Sequence, residues 1–308
     1  MTYFYNYFAR QFREGNRGRT LPAPAAMSQG IRPEDVGDCR RALKHSFAGY
    51  RDGRNTEALK RLLGEYRQYV SGSHDGHAKD RYNAFVYRYM VEAHVGSRAI
   101  AAKLGVTSDT VRNYINRCMD EILALCMGIP AAGAPEGKEA AVRMLVSGSR
   151  LFGSMAGDYV TGLFPGERER EAVEQGRRIT VDVMGKIAGA VEAYAGYCND
   201  ASTRIDTDIR KADILYKCLA GIPPAAVAEG YGCCESTVYA DMRENERRLA
   251  AMLFDIGGEG RVGPGNAAPP ESYYHEQKGR RGKQIWQGIK SLPTCREGDV
   301  RDGAVKDH

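Results

Sequence analysis

The stretch Ser97–Met119, SRAIAAKLGVTSDTVRNYINRCM, decides how the chain is read. Ile100, Leu104, Val106, Val111, Tyr114 and Ile115 fall where two short helices meeting at a steep angle need apolar contacts. Ala101 is small where the second helix crosses closest. Gly105 ends the first helix at a place that requires a left-handed backbone. Thr107 or Ser108 then caps the second helix by accepting a bond from its free amides, and Asp109 in the first turn suits the positive end of the helix dipole.

Removing the packing positions leaves Ser108, Asp109, Arg112, Asn113 and Asn116 on the outer face of the second helix, with Arg117 beside them. These side chains suit a groove reader, because arginine pairs with guanine and asparagine with adenine in bidentate fashion. Arg112, Asn113 and Asn116 are expected to read bases, assisted by Ser108 and Asp109. Thr107, Thr110, Lys103, Arg98 and Arg117 are expected to seat the unit on phosphates. The segment Tyr82–Glu92 supplies a support helix through Phe85, Val86, Tyr89 and Met90, and Ile122, Leu123 and Leu125 carry the second helix into the core.

Over residues 81–126, RYNAFVYRYMVEAHVGSRAIAAKLGVTSDTVRNYINRCMDEILALC, the chain resembles the promoter-reading C-terminal domain (region 4) of sigma-70-type transcription factors. The resemblance implies a helix-turn-helix that places Ser108–Met119 in the major groove of double-stranded DNA. It does not imply a complete sigma factor, since the N-terminal half carries no match to the aromatic-rich helix with which that family melts promoters. A phage-type or mobile-element regulator is the closer analogy.

A second copy follows. Written without gaps over Ser97–Tyr114, the segment Pro224–Asp241 pairs Val227 with Ile100, Ala228 with Ala101, Gly232 with Gly105 and Thr237-Val238 with Thr110-Val111. The same frame sets Tyr216 under Tyr89 and Ile222 under Val95. Residues 211–254, KADILYKCLAGIPPAAVAEGYGCCESTVYADMRENERRLAAMLF, resemble the same family. Ser236, Thr237, Tyr239 and Arg243 are the second set of candidate DNA contacts. This copy looks degenerate: Cys234 is a poor cap where the first has Thr107, and Glu235, Asp241, Glu244 and Glu246 set negative charge along the face that would meet phosphates. Asp208–Asp255 holds six Lys/Arg against eight Asp/Glu, whereas Arg81–Gly128 holds six against four, so a protein-contacting or dimerising role stays open beside DNA contact.

Around these units the chain reads as all-α, with apolar residues at three- and four-residue spacing, as in Ala58, Leu59, Leu62, Leu63, Tyr66 and Val70. The expected organisation is an N-terminal arm at 1–33, a helical domain at 34–128, a linker at 129–138, a second helical domain at 139–256 and a disordered tail at 257–308 rich in Gly and Pro. Arg10, Arg13, Arg17 and Arg19 in the arm, and Lys278–Lys283 in the tail, suit electrostatic contact or plain solvation. The formal charge of +5 permits a polyanionic partner without demanding one.

The eight cysteines form no Cys-x-x-Cys or Cys/His zinc pattern, which fits a reduced, cytoplasmic setting without metal or other cofactor. His74 and His77 lack further ligands. No uninterrupted apolar run suits a membrane span, and the early arginines disfavour a signal peptide. Nucleophile-elbow, Walker and zinc-protease motifs are missing, so an enzyme is not expected. The reading is a sequence-specific transcription regulator, with a homodimer and RNA polymerase as further partners. The rivals are a DNA-recognition subunit of a packaging or mobile-element machine, and a polymerase-docking protein without DNA binding.

Overall fold

The structure, a computed structural model, describes residues 21, 23–27, 30–73, 75–91, 95–200 and 205–255. The basic arm at Arg10–Arg19, His74 and the tail from 257 onward lie outside the described residues. Those described are helical, with no strand among them: α1 (Pro33–Ala48), α2 (Thr56–Ser71), α3 (Ala78–Tyr89), α4 (Ser97–Leu104), α5 (Ser108–Met127), α6 (Lys138–Gly153), α7 (Glu167–Asp200), α8 (Ile205–Leu219), α9 (Pro224–Tyr231) and α10 (Glu235–Ala250). None of them is long and apolar enough to cross a membrane.

Local chemistry starts and stops these helices. Pro33 opens α1 and the Asp35 carboxylate accepts from the Arg32 backbone N–H at 3.0 Å. Thr107 caps α5, accepting from the Thr110 backbone N–H at 3.1 Å. Gly105 closes α4 with φ 67° and ψ 29°, and the following Val106 N–H returns to the Ala101 carbonyl at 3.1 Å.

Two apolar clusters fill the interior. The first joins α1 to α5 with Val160, Leu163, Phe164 and the start of α7, around Phe47, Tyr66, Phe85 and Ile122. The second joins α6, the later turns of α7, α8 and the end of α10, around Leu145, Tyr194 and Leu249. Helix α7 therefore runs through both. The stretch 129–138, read as a linker, turns tightly with Ile129 and Pro130 buried, and the Ile129 N–H donates to Thr180 Oγ1 of α7 at 2.9 Å. The crossing there depends on Gly176, where a Cβ would stand 2.4 Å from the Met127 carbonyl oxygen.

The internal repeat is a feature of the backbone. Helices α4 and α5 start at residues 97 and 108, and α9 and α10 start at 224 and 235, a constant spacing of 127 residues. The turns agree in conformation: Gly232 has φ 61° and ψ 33°, and Cys234 (φ −84°, ψ 154°) follows Thr107 (φ −81°, ψ 158°). The Cys233 N–H returns to the Ala228 carbonyl at 3.0 Å, as Val106 does to Ala101. Val227, Ala228, Val238 and Leu249 are buried, as are Ile100, Ala101, Val111 and Ile122 at the corresponding places.

Candidate nucleic-acid interface

Helix α5 is buried along one side by Val111, Ile115, Cys118, Met119 and Ile122 and open along the other. The open side carries Asp109, Arg112, Asn113, Asn116 and Arg117, all exposed, with Ser108 and Thr110 half-buried at the first turn. Asn113 and, on α4, Arg98 have no partner among the described residues. Arg112 is braced by Asp109 at 2.7 Å, both side chains facing solvent. Such an exposed pair adds little to stability, so the guanidinium is free to exchange partners. Lys103 lies over the Tyr87 ring at 4.8 Å, which holds its ammonium beside the turn. The Thr107 and Thr110 hydroxyls lie 2.8 Å apart, tied to one another in the cap.

Two of the expected contacts have prior engagements. Asn116 Oδ1 accepts from Arg40 Nη2 at 3.5 Å, and Arg40 also pairs with Asp120 at 2.6 Å. Arg40 comes from α1, and no local signal in the sequence points to it. Arg117 reaches Glu121 at 3.3 Å and Asp75 at 3.6 Å. The loop before α3 also touches α5 through His77 Nδ1, 3.1 Å from the Tyr114 hydroxyl.

Beneath Arg117 lies a buried ionic network that fixes α5 against α3. Arg81, 4% exposed, reaches Asp75 at 2.8 Å and Glu121 at 3.3 Å, and the Tyr66 hydroxyl donates to Glu121 at 2.5 Å. Burial works against the Asp75 carboxylate, but the His77 backbone N–H and the Arg81 guanidinium hold its pKa below the ordinary value. The second unit carries the same network with its charges exchanged. At the spacing of 127 residues, Arg81 becomes Asp208, Glu121 becomes Arg248 and Arg117 becomes Glu244. Asp208 and Arg248 meet at 3.1 Å, and Glu244 and Arg248 at 3.0 Å. A tyrosine joins each network from a different place: Tyr66 donates to a carboxylate, whereas Tyr194, one residue outside the 127-residue frame, accepts from the Arg248 guanidinium at 3.0 Å and donates to Asn245 Oδ1 at 3.0 Å.

In the second unit Ser236, Tyr239 and Arg243 are exposed and Thr237 is half-buried. The acids expected along this face are mostly elsewhere. Asp241 and Glu246 are buried, paired with Arg210 at 3.0 Å and Arg143 at 3.0 Å, and Glu244 serves the network. Among them only Glu235 stands outward, in the first turn. Cys234 holds the cap position of Thr107, its sulfur 2.9 Å from Ser236 Oγ and 3.2 Å from Thr237 Oγ1. Hydrogen bonds from Ser236 and Thr237 bring the thiol's pKa down to about 7. The other described cysteines are free thiols too, and burial pushes Cys39 and Cys198 up to about 12. No group of acids, cysteines and histidines fit to hold a metal ion occurs among the described residues.

Comparison with family models, curated proteins and solved structures finds no match to this chain.

Proposed function

We propose that the chain is a sequence-specific double-stranded-DNA-binding regulator of transcription, reading its site through α5 in the manner of a sigma region 4 helix-turn-helix. The observation that carries this reading is the open face of α5. Arg112, Asn113 and Asn116 stand together on a helix whose other side is sealed and whose cap is complete. Asn113 in particular is an exposed amide with no partner among the described residues, open to pairing with an adenine edge. Arg98 and Lys103 on α4 flank the turn with positive charge suited to phosphates. Arg117, engaged by Glu121 and Asp75, serves that purpose as the rim of the network.

Selection of bound fragments from random-sequence duplex at about 150 mM salt tests the proposal, with Arg112→Ala/Asn113→Ala alongside. The wild type should enrich a defined motif that the double variant loses. Each bidentate contact removed should cost about 1–3 kcal/mol of discrimination. Lys103→Ala should instead weaken specific and random duplex alike and flatten the salt dependence. Absence of enrichment by the wild type, or equal losses on specific and random duplex in the double variant, overturns the assignment. Co-purification with RNA polymerase and no duplex retardation would transfer it to polymerase docking.

A further inference from the structure

We infer that the exposed face of α10 is a second duplex-DNA contact, so that one chain reads two half-sites at a fixed separation. The inference rests on the proposed reading of α5 and extends it to the second unit. Its first support is positional. Repetition of α3–α4–α5 by α8–α9–α10, with the same turn angles and the same buried positions, presents α10 to solvent as α5 is presented. At the spacing of 127 residues, Asp109, Arg112 and Asn116 are answered by Ser236, Tyr239 and Arg243.

Charge is the second support. A face lined by Asp241, Glu244 and Glu246 would repel phosphates, but Asp241 and Glu246 are buried against Arg210 and Arg143, and Glu244 is turned to Arg248. Outward on α10 stand Arg243, without a partner among the described residues, and Arg247, exposed and 3.6 Å from Glu244, against Glu235 on the same helix and Glu229 on α9. Tyr239 is 48% exposed, an aromatic ring with a hydroxyl at the place of Arg112. The cations that flank the first turn on α4 have no counterpart on α9, where Ala225 and Gly230 stand for Arg98 and Lys103. The contact would therefore come from α10 itself, with Arg243 taking a guanine edge or a phosphate.

The two units are held in one body. Arg143 of α6 bonds to Glu246 of α10, and Arg150 of the same helix donates to the Tyr69 carbonyl of α2 at 2.9 Å and lies against Gly221. Rigid coupling converts the second contact into an intramolecular one and allows one spacing only.

The test is selection from random-sequence duplex at least about three helical turns long, with wild type, Tyr239→Ala/Arg243→Ala and Arg112→Ala/Asn113→Ala. Both substituted residues of α10 are exposed, so unchanged thermal unfolding should accompany the first variant. The wild type should return two half-motifs at one spacing. The α10 variant should keep the half-motif lost by the α5 variant, and bind the full site roughly a hundredfold more weakly. A single half-motif in the wild type, together with an α10 variant equal to it in affinity and salt dependence, overturns the inference and leaves the α5 reading intact. An α10 variant that keeps the full motif but changes oligomeric state on a sizing column also overturns it, in favour of a protein contact. No binding by the wild type overturns both.

Discussion

Arg81 and Glu121, exchanged for the residues that stand in their places in the second unit, make a stringent test of the shared architecture. Arg81→Asp alone places a third carboxylate beside Asp75 and Glu121 in a site where the original side chain is 4% exposed. Breaking a buried pair costs about 3–5 kcal/mol, which at roughly 2–4 °C per kcal/mol in a chain of this size is a fall in Tm of about 6–20 °C. Glu121→Arg alone gathers three guanidinium groups and removes the acceptor of the Tyr66 hydroxyl, at a similar cost. The double variant restores an ion pair in the polarity of Asp208 and Arg248, with Tyr66 free to accept as Tyr194 does. It should recover most of the loss, a coupling of roughly 3 kcal/mol, at the upper end for neighbouring residues. Adding Asp75→Ser and Arg117→Glu, the residues of the second unit at 202 and 244, should recover more. Thermal and urea unfolding followed by far-ultraviolet circular dichroism reads all of these. Additive losses in the double variant would refute the reasoning, since the two networks would then not be versions of one.

Two further tests address the backbone and the cap. Gly176→Ala should destabilise by about 1–3 kcal/mol, because its methyl meets the Met127 carbonyl across a helix crossing, whereas Gly185→Ala in the same helix meets nothing and should stabilise by about 0.5–1 kcal/mol. Equal effects in chemical unfolding would place the glycine requirement elsewhere. Alkylation by iodoacetamide should contain a fast phase, absent in Cys234→Ser, whose rate rises as the thiolate forms with a midpoint near pH 7. A midpoint near that of a free thiol would mean that Ser236 and Thr237 do not hold the sulfur in solution.

Much of the local architecture was legible because its causes are local. A glycine dictates the left-handed stop at Gly105 and a hydroxyl two residues later the cap at Thr107; the glycine signal recurs at Gly232, while Cys234 stands in the place of the cap. Composition and helical spacing identified an all-α chain. The acids of α10 were misplaced by counting charge along the sequence. Asp241 lies three residues after buried Val238 and four before buried Asn245, on the inward side of the helix. A carboxylate is tolerated there only because Arg210, 31 residues away, meets it. Likewise, Arg40 beside Asn116 spans 76 residues and leaves no local trace.

The sequence by itself therefore determined the all-α class, the paired short helices about Gly105 and Gly232 and the residues on the open face of α5, since caps, left-handed glycines and 3.6-residue spacing act within a few residues. Only the tertiary structure decided which charges point outward and which are buried in pairs. Those pairings join helices far apart in the chain, where burial makes one partner depend on the other. The exchange of Arg81 and Glu121 for Asp208 and Arg248 preserves the pairing and changes every residue in it, so it is visible only once the helices are packed.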